Sequence, residues 1–318
     1  TEYCSYAFYN AMYSYMSYIT GESKYGDMME QMFYNGAQGA RKKDEKAIAY
    51  LSAPNQFMAT TTSSTAGAKT ENSSHSHNND FQVYAPCYPV SCCPVNAVAV
   101  VPEFVRGMLL HDAEDNIYVM AYGPCTLRHG DTALTLDTLY PFRNSVSVSI
   151  ECEKQFALYL KIPAWCKGYR ITVNGEEIES TAKNGVAAIL RAWKSGDTVT
   201  ITFQAEVETV VIRDDDNAGK HPIAIRYGAL VFSYHIPERW TPIKGSPMTP
   251  LPDGWSWYNV DPAFEEANVA DPHEQLGLRR EQISWNVALD EHLTAKDFTV
   301  EELPPDGYVW ENPPILLH

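Results

Sequence analysis

The tripeptide Cys92-Cys93-Pro94 is the segment of this sequence best suited to chemistry. Adjacent cysteines rarely bond to each other, because the ring they would close is strained. Where the chain turns sharply, both can ligate one soft metal ion. Pro94 suits the first position of a helix running over 94–109. A helix N-terminus favours negative charge, which lowers a thiol's pKa and makes a cysteine there a candidate nucleophile. Two thiols buried as inert small hydrophobes are the competing reading. Glu2 and Cys4 stand two residues apart and can face one ion from an extended or turning chain, but not from one helix face. Glu2, Cys4, Cys92 and Cys93 together would make a four-ligand site suited to zinc.

Other side chains read as structural. His75 and His77 form a His-x-His pair, but lie in a small, polar, aperiodic stretch over 59–80, which reads as a loop with solvated histidines. Cys125, Cys152 and Cys166 fall in or near strand patterns as small buried hydrophobes; with Cys87 they bring the cysteines to seven, an odd and irregularly spaced set unlike a disulfide framework. Glu30 and Glu103 read as surface or structural carboxylates. Trp193, Trp240, Trp255 and Trp257 could stack on sugars, but in β domains they more often fill cores. Arg106 and His111 carry no separate signal.

The elements that position these residues change type along the chain. Residues 5–34 read as two helices. Tyr6, Tyr9, Met12, Tyr13 and Met16 recur at helical spacing, TGES at 20–23 interrupts, and Met28, Met29, Met32 and Phe33 carry a second face that Asn35-Gly36 should end. In the helix at 94–109, Val98, Val101, Val105 and Met108 are expected on one face, with a kink at Pro102. From about 116 the period falls to two. NIYVMAY, ALTLDTLY, VSVSIEC, FALYLKI, YRITVNGEEI, AAILRAW and TVTITFQAEV read as strands of a sandwich, with Asn174-Gly175 as a hairpin turn. A second β-rich stretch starts near 208, interrupted by a charged segment at 262–282.

The chain has 318 residues, of which 45% are hydrophobic and 12% aromatic, enough for two or three domains with cores of their own. Its net charge of −16 argues against nucleic acid and anionic membranes as partners. No stretch approaches a membrane-spanning helix. The opening TEYCSYAFYN has neither a basic nor an apolar leader region, so it is not a signal peptide, and the chain is expected to begin inside a longer protein.

Glu2-Tyr3-Cys4, Tyr34-Asn35-Gly36 after a helix, and Cys92-Cys93-Pro94-Val95-Asn96 opening another together resemble glycoside hydrolase family 127. FALYLKIPAWCKGYRITVNGEEI at 156–178 is similar to that family's β-sandwich, and IRYGALVFSYHI at 225–236 and SWNVALD at 284–290 to its later strands. The resemblance implies an α+β multidomain chain: residues 1–112 as the C-terminal helices of an (α/α)6 catalytic barrel, 113–208 as a β-sandwich, and 209–318 as a second β-rich domain. It implies zinc on Glu2, Cys4, Cys92 and Cys93, with Cys92 as the nucleophile that forms a thioglycosyl intermediate on β-L-arabinofuranosides or related pentosides. An arabinofuranoside-containing glycan is the implied partner. The family's acid/base glutamate lies upstream of Glu-x-Cys, so this stretch is expected to lack it and to leave apolar helix faces for a missing barrel half or for self-association. Ala99 stands where the family usually carries arginine, which admits a branch without catalysis. The alternative is an inactive structural-zinc and β-sandwich module that binds glycan or a partner chain.

Overall fold

The computed structural model describes residues 1–41, 48, 49, 52, 84, 85, 92–211, 223–232, 238–242, 278–282, 298–303 and 314–317. His75, His77, Cys87, Trp255, Trp257 and 284–290 lie outside them, as does most of 262–282. The described residues form a few helices at one end and strands over most of the rest.

The helical end holds α1 (Tyr3–Thr20), α2 (Ser23–Glu30), a π-helical stretch Gln31–Ala37 and α3 (Cys92–Met108). A short ladder of β1 (Ile48–Ala49) and β2 (Tyr84–Ala85) lies between the last two in sequence. Helix α1 stops as the TGES signal requires: Gly21 is left-handed (φ 66°) and its N–H caps the Ser17 carbonyl at 2.8 Å. Its buried face is mostly small and polar, with Ala7, Asn10, Ser14 and Ser17 below Tyr3 and Tyr6. Phe8, Tyr15, Tyr18 and Ile19 face outward. The expected tyrosine stripe is thus split. Tyr6 is buried, while Tyr9 is exposed and stacks on Tyr13, which stacks on Tyr25.

Two helix expectations are corrected. Val98, Val101 and Val105 face outward, Val98 with 74% of its surface exposed; α3 buries Cys93, Ala97, Val100, Phe104, Gly107 and Met108. Apolar residues surround this helix, so periodicity alone could not choose the face. Small side chains chose it: a Cβ on Gly107 would stand 2.6 Å from Ser14 Oγ of α1. Asn35-Gly36 does not end the helical run, which continues as the π-helical stretch to Ala37. The Asn35 amide instead donates to the Ala229 carbonyl and accepts from the Val231 N–H, both at 2.8 Å. Gly36 is required by the Tyr6 ring, which a Cβ would meet at 2.4 Å.

The sandwich starts at β3 (Leu109–His111), directly after α3, and continues through β4 (Ile117–Val119), β5 (Cys125–His129), β6 (Thr132–Thr138), β7 (Ser145–Glu151), β8 (Lys154–Lys161), β9 (Gly168–Val173), β10 (Glu176–Ile178), β11 (Val186–Trp193) and β12 (Thr198–Gln204). Its sheets have the orders β10-β9-β12-β7-β6-β5 and β11-β8-β4-β3; β4 pairs with β8 in parallel, and the other pairs are antiparallel. Alternation along each strand sends Leu134, Leu136, Val146, Val148, Ile150, Leu158, Leu160, Val199 and Ile201 into one core. Asn174 and Gly175 both have positive φ and close the β9–β10 hairpin, as expected. Trp193 is buried there, its indole N–H donating to the Phe156 carbonyl at 3.0 Å, so it fills a core. Beyond the sandwich lie β13 (Val207–Val211), β14 (Ile223–Tyr227) and β15 (Leu230–Phe232) in one sheet, then the pairs β16 (Glu238–Pro242) with β17 (Leu278–Gln282) and β18 (Val300–Glu302) with β19 (Ile315–Leu317).

Helix α2 lies close against the sandwich. A Cβ on Gly26 would fall 1.8 Å from the Met120 carbonyl oxygen. Backbone cannot yield as a flexible side chain can, so Gly26→Ala is expected to destabilise the chain by about 1–3 kcal/mol. A urea midpoint equal to that of wild type would show that α2 is not held at this distance.

Candidate metal centre

Glu2 precedes α1 with extended backbone angles, and its carboxylate does not cap the helix it begins. It reaches across to α3, where Glu2 Oε1 lies 3.5 Å from Cys92 Sγ and 3.6 Å from Cys93 Sγ. Cys4, in the first turn of α1, places its sulfur 3.2 Å from Cys93 Sγ, and Cys92 Sγ is 4.0 Å from Cys93 Sγ. One ligand atom from each of the four residues lies within 4.8 Å of the others. Two helix N-termini therefore meet at one point, and both favour negative charge there.

The four differ in access. Cys4 and Cys93 are buried, whereas Cys92 and Glu2 are partly open to solvent. Burial pushes the thiols of Cys4 and Cys93 above the ordinary cysteine range, Cys93 the further. Without a cation this packing favours neutral thiols; a divalent ion would reverse the preference. The donor set fits zinc. A tetrahedron with Zn–S of about 2.3 Å and Zn–O of about 2.0 Å has S···S edges of about 3.8 Å and S···O edges of about 3.5 Å. The observed separations of 3.2, 4.0, 3.5 and 3.6 Å scatter around those edges.

Asn96 went unremarked in the sequence as part of the site. Its amide donates to Cys4 Sγ at 3.4 Å and to the Cys92 carbonyl at 2.9 Å. It stands four residues after Cys92 on α3, so helical spacing alone could have found it. Arg41 lies behind the cluster, donating through Nε to Tyr3 Oη at 2.7 Å and through its terminal nitrogen to the Ala97 carbonyl.

Among the described residues, Glu30 and Glu103 of the helical end are engaged elsewhere. Glu30 is buried, accepting from the Tyr122 N–H at 2.9 Å and from Tyr140 Oη at 2.6 Å and pairing with Lys161 at 3.0 Å. Glu103 pairs with Arg106 one turn on. Cys125, Cys152 and Cys166 are free and remote from the cluster in sequence; burial raises the Cys125 thiol to about 11.

Residues 116–205 match the family model of the β-L-arabinofuranosidase GH127 middle domain. Among solved structures the chain is similar to a GH127 β-L-arabinofuranosidase from Geobacillus stearothermophilus T6, with 25% identity and a TM-score of 0.59 over 72% of this chain and 36% of that one. A protein described as a glycoside hydrolase matches with 24% identity and a TM-score of 0.58, covering 72% of this chain and 37% of its own. A GH127 β-arabinofuranosidase matches in fold with 22% identity and a TM-score of 0.57, covering 72% and 36%. This chain thus spans little more than a third of the length of these structures. No curated protein matches the sequence. The strands at 116–205 thus match the GH127 middle domain, and the fold of the chain is similar to that of solved GH127 enzymes.

Proposed function

We propose that this chain carries the nucleophile and metal site of a retaining glycoside hydrolase acting on β-L-arabinofuranosides or related pentosides. In this reading Cys92 is the nucleophile, and Glu2, Cys4, Cys92 and Cys93 hold zinc. Residues 1–112 then contribute helices to an (α/α)6 barrel, with 113–208 and 209–318 as its β domains. The observation that carries the reading is the meeting of three thiols and a carboxylate, drawn from segments about 90 residues apart, at near-tetrahedral separations.

When bound, zinc would keep the ligating sulfurs deprotonated and ease the departure of sulfur from carbon. Cys92 is the thiol of the three that is open to an incoming sugar; Cys4 and Cys93 are enclosed and serve as ligands. The Cys92 sulfur attacks the anomeric carbon as the bond to the leaving oxygen breaks and that oxygen takes up a proton. Water then displaces the sulfur from the same carbon, and two inversions give retention. Glu30 and Glu103, held by Lys161 and Arg106, are not offered to a substrate as the proton donor. Asn96 orients Cys4 and the first turn of α3.

Elemental analysis of the purified chain, followed by labelling with an arabinofuranose-derived electrophile, tests this. One zinc per chain, lost in both Cys92→Ser and Cys93→Ser, with the label on Cys92, is the expected result. Zinc without labelling would favour an inactive structural-zinc module. Absence of both would overturn the proposal.

A further inference from the structure

A second group of ligating side chains lies at the rim of the sandwich. His111 ends β3, Asp115 lies in the turn before β4, and His129 ends β5. One ligand atom from each lies within 4.8 Å of the others. The two imidazoles stack with centroids 3.9 Å apart and planes 23° from parallel. His129 Nε2 is 3.0 Å from Asp115 Oδ1.

The frame around these residues is already built. Asp112 Oδ1 accepts from the Glu114 N–H at 3.0 Å and the Asn116 N–H at 2.9 Å; its Oδ2 accepts from Asn116 Nδ2 at 2.9 Å and Tyr118 Oη at 3.1 Å. These bonds hold the turn in which Asp115 takes a left-handed conformation, φ 62°. His111 Nδ1 is 3.2 Å from the Asp112 carbonyl oxygen. A proton on Nδ1, donated to that carbonyl, leaves Nε2 with its lone pair free, the arrangement in which histidines ligate metals. Lys154 Nζ sits 2.5 Å from Asp115 Oδ2, on the oxygen other than the one that meets His129. Asp115 can therefore keep this ion pair and still offer Oδ1.

We propose that His111, His129 and Asp115 form a second metal site, for a late first-row divalent ion such as Zn²⁺, Ni²⁺ or Co²⁺. Two imidazole nitrogens and one carboxylate oxygen suit these ions better than Ca²⁺ or Mg²⁺, which take oxygen ligands. The Lys154 ammonium opposes a cation bound by charge alone, so the nitrogens must supply the affinity. Three protein ligands at the rim leave further positions to water. His111 belongs to the four-stranded sheet and His129 to the six-stranded one, so the ion would clip the two sheets together. The site shares no residue with the thiolate cluster.

Cobalt titration of the full chain, followed by optical spectroscopy, separates the two centres, because thiolate-bound cobalt shows a sulfur-to-metal charge-transfer band and imidazole-carboxylate cobalt does not. Cobalt lacking that band is expected to bind the wild type and to be lost in His111→Ala and in His129→Ala. Both histidines are at strand ends with exposed or partly exposed rings, and the fold should tolerate their loss. Asp115→Asn keeps a residue that accepts positive φ and should weaken the site at least about tenfold. Band-free cobalt that persists in both histidine variants, or its absence from wild type, would overturn the inference. Loss of the charge-transfer band alone would count against the thiolate centre and leave this site standing.

Discussion

Replacing Lys161 with methionine is expected to lower the stability of the chain by about 3–5 kcal/mol. Lys161 is fully buried at the end of β8, where Nζ meets Asp27 Oδ1 at 2.9 Å and Glu30 Oε2 at 3.0 Å, over the Tyr122 ring. Burial pulls its pKa down, but the carboxylates of Glu30 and Asp27 outweigh that and hold it above the ordinary lysine value. Methionine fills the same space without the charge. Glu30 would then remain enclosed with only the Tyr140 hydroxyl and the Tyr122 N–H. A buried carboxylate without its cation is far more costly than a pair replaced whole, so Lys161→Met with Glu30→Gln should recover most of the loss. Urea denaturation of the three proteins checks this; a single variant as stable as wild type would refute it. The pH dependence has a definite sign. The lysine pKa is raised in the folded state, so its contribution is complete below the unfolded value of about 10.4 and is lost as pH rises through the folded one. These contacts join α2 to the sandwich, so their loss should also loosen the helices that present the thiolates.

Zinc affinity is expected to fall more than about 100-fold in Cys93→Ser, because second-shell partners alone account for about 10–100-fold. Asn96→Ala belongs to that lesser class, since it removes a donor to Cys4 Sγ and the link to the Cys92 carbonyl but no ligand. Competition with a chelating dye gives the order wild type, Asn96→Ala, Cys93→Ser; equal affinities would refute the assignment. Protons would compete with the ion for Cys4 and Cys93, whose thiol pKa values burial raises, so zinc is expected to be released as pH falls. The metal-free chain behaves in the opposite sense. With thiol pKa values raised in the folded state, the folded form binds more protons over the window above about pH 8.5, and its stability declines there as pH rises.

Strands could be read where burial imposes a period of two. β7, β12 and the part of β6 from Leu134 on are recoverable because inward Leu, Val and Ile alternate with outward polar residues. The short β3 was hidden in what looked like the end of α3, and in β5 the alternation of CTLRH runs only between half-buried and exposed positions, too shallow a signal to stand out. Helix faces were less legible. In α1 the buried side holds Asn10, Ser14 and Ser17 beside Tyr3 and Tyr6, while Phe8, Tyr15 and Tyr18 lie outside; close approach to Gly107 of α3 explains the small residue at Ser14. The grouping of Glu2, Cys4, Cys92 and Cys93 was legible because Cys-Cys-Pro and Glu-x-Cys are rare and local. Glu30 with Lys161, and His111 with His129, were not, because tertiary packing alone unites them and each residue is ordinary in its own segment.

The attachment of the helical end to distant strands bears on synthesis. Asn35 finds its partners 194 and 196 residues later in the chain, and Glu30 meets Tyr140 after 110. At about 5–20 residues per second, translation separates Asn35 from Ala229 by about 10–40 s. During that interval the nascent helices carry outward aromatics and a carboxylate whose enclosing cation has yet to be made. These helices are thus made well before the strands that complete them, and the newborn chain should be a client for chaperones until its sandwich closes beneath them.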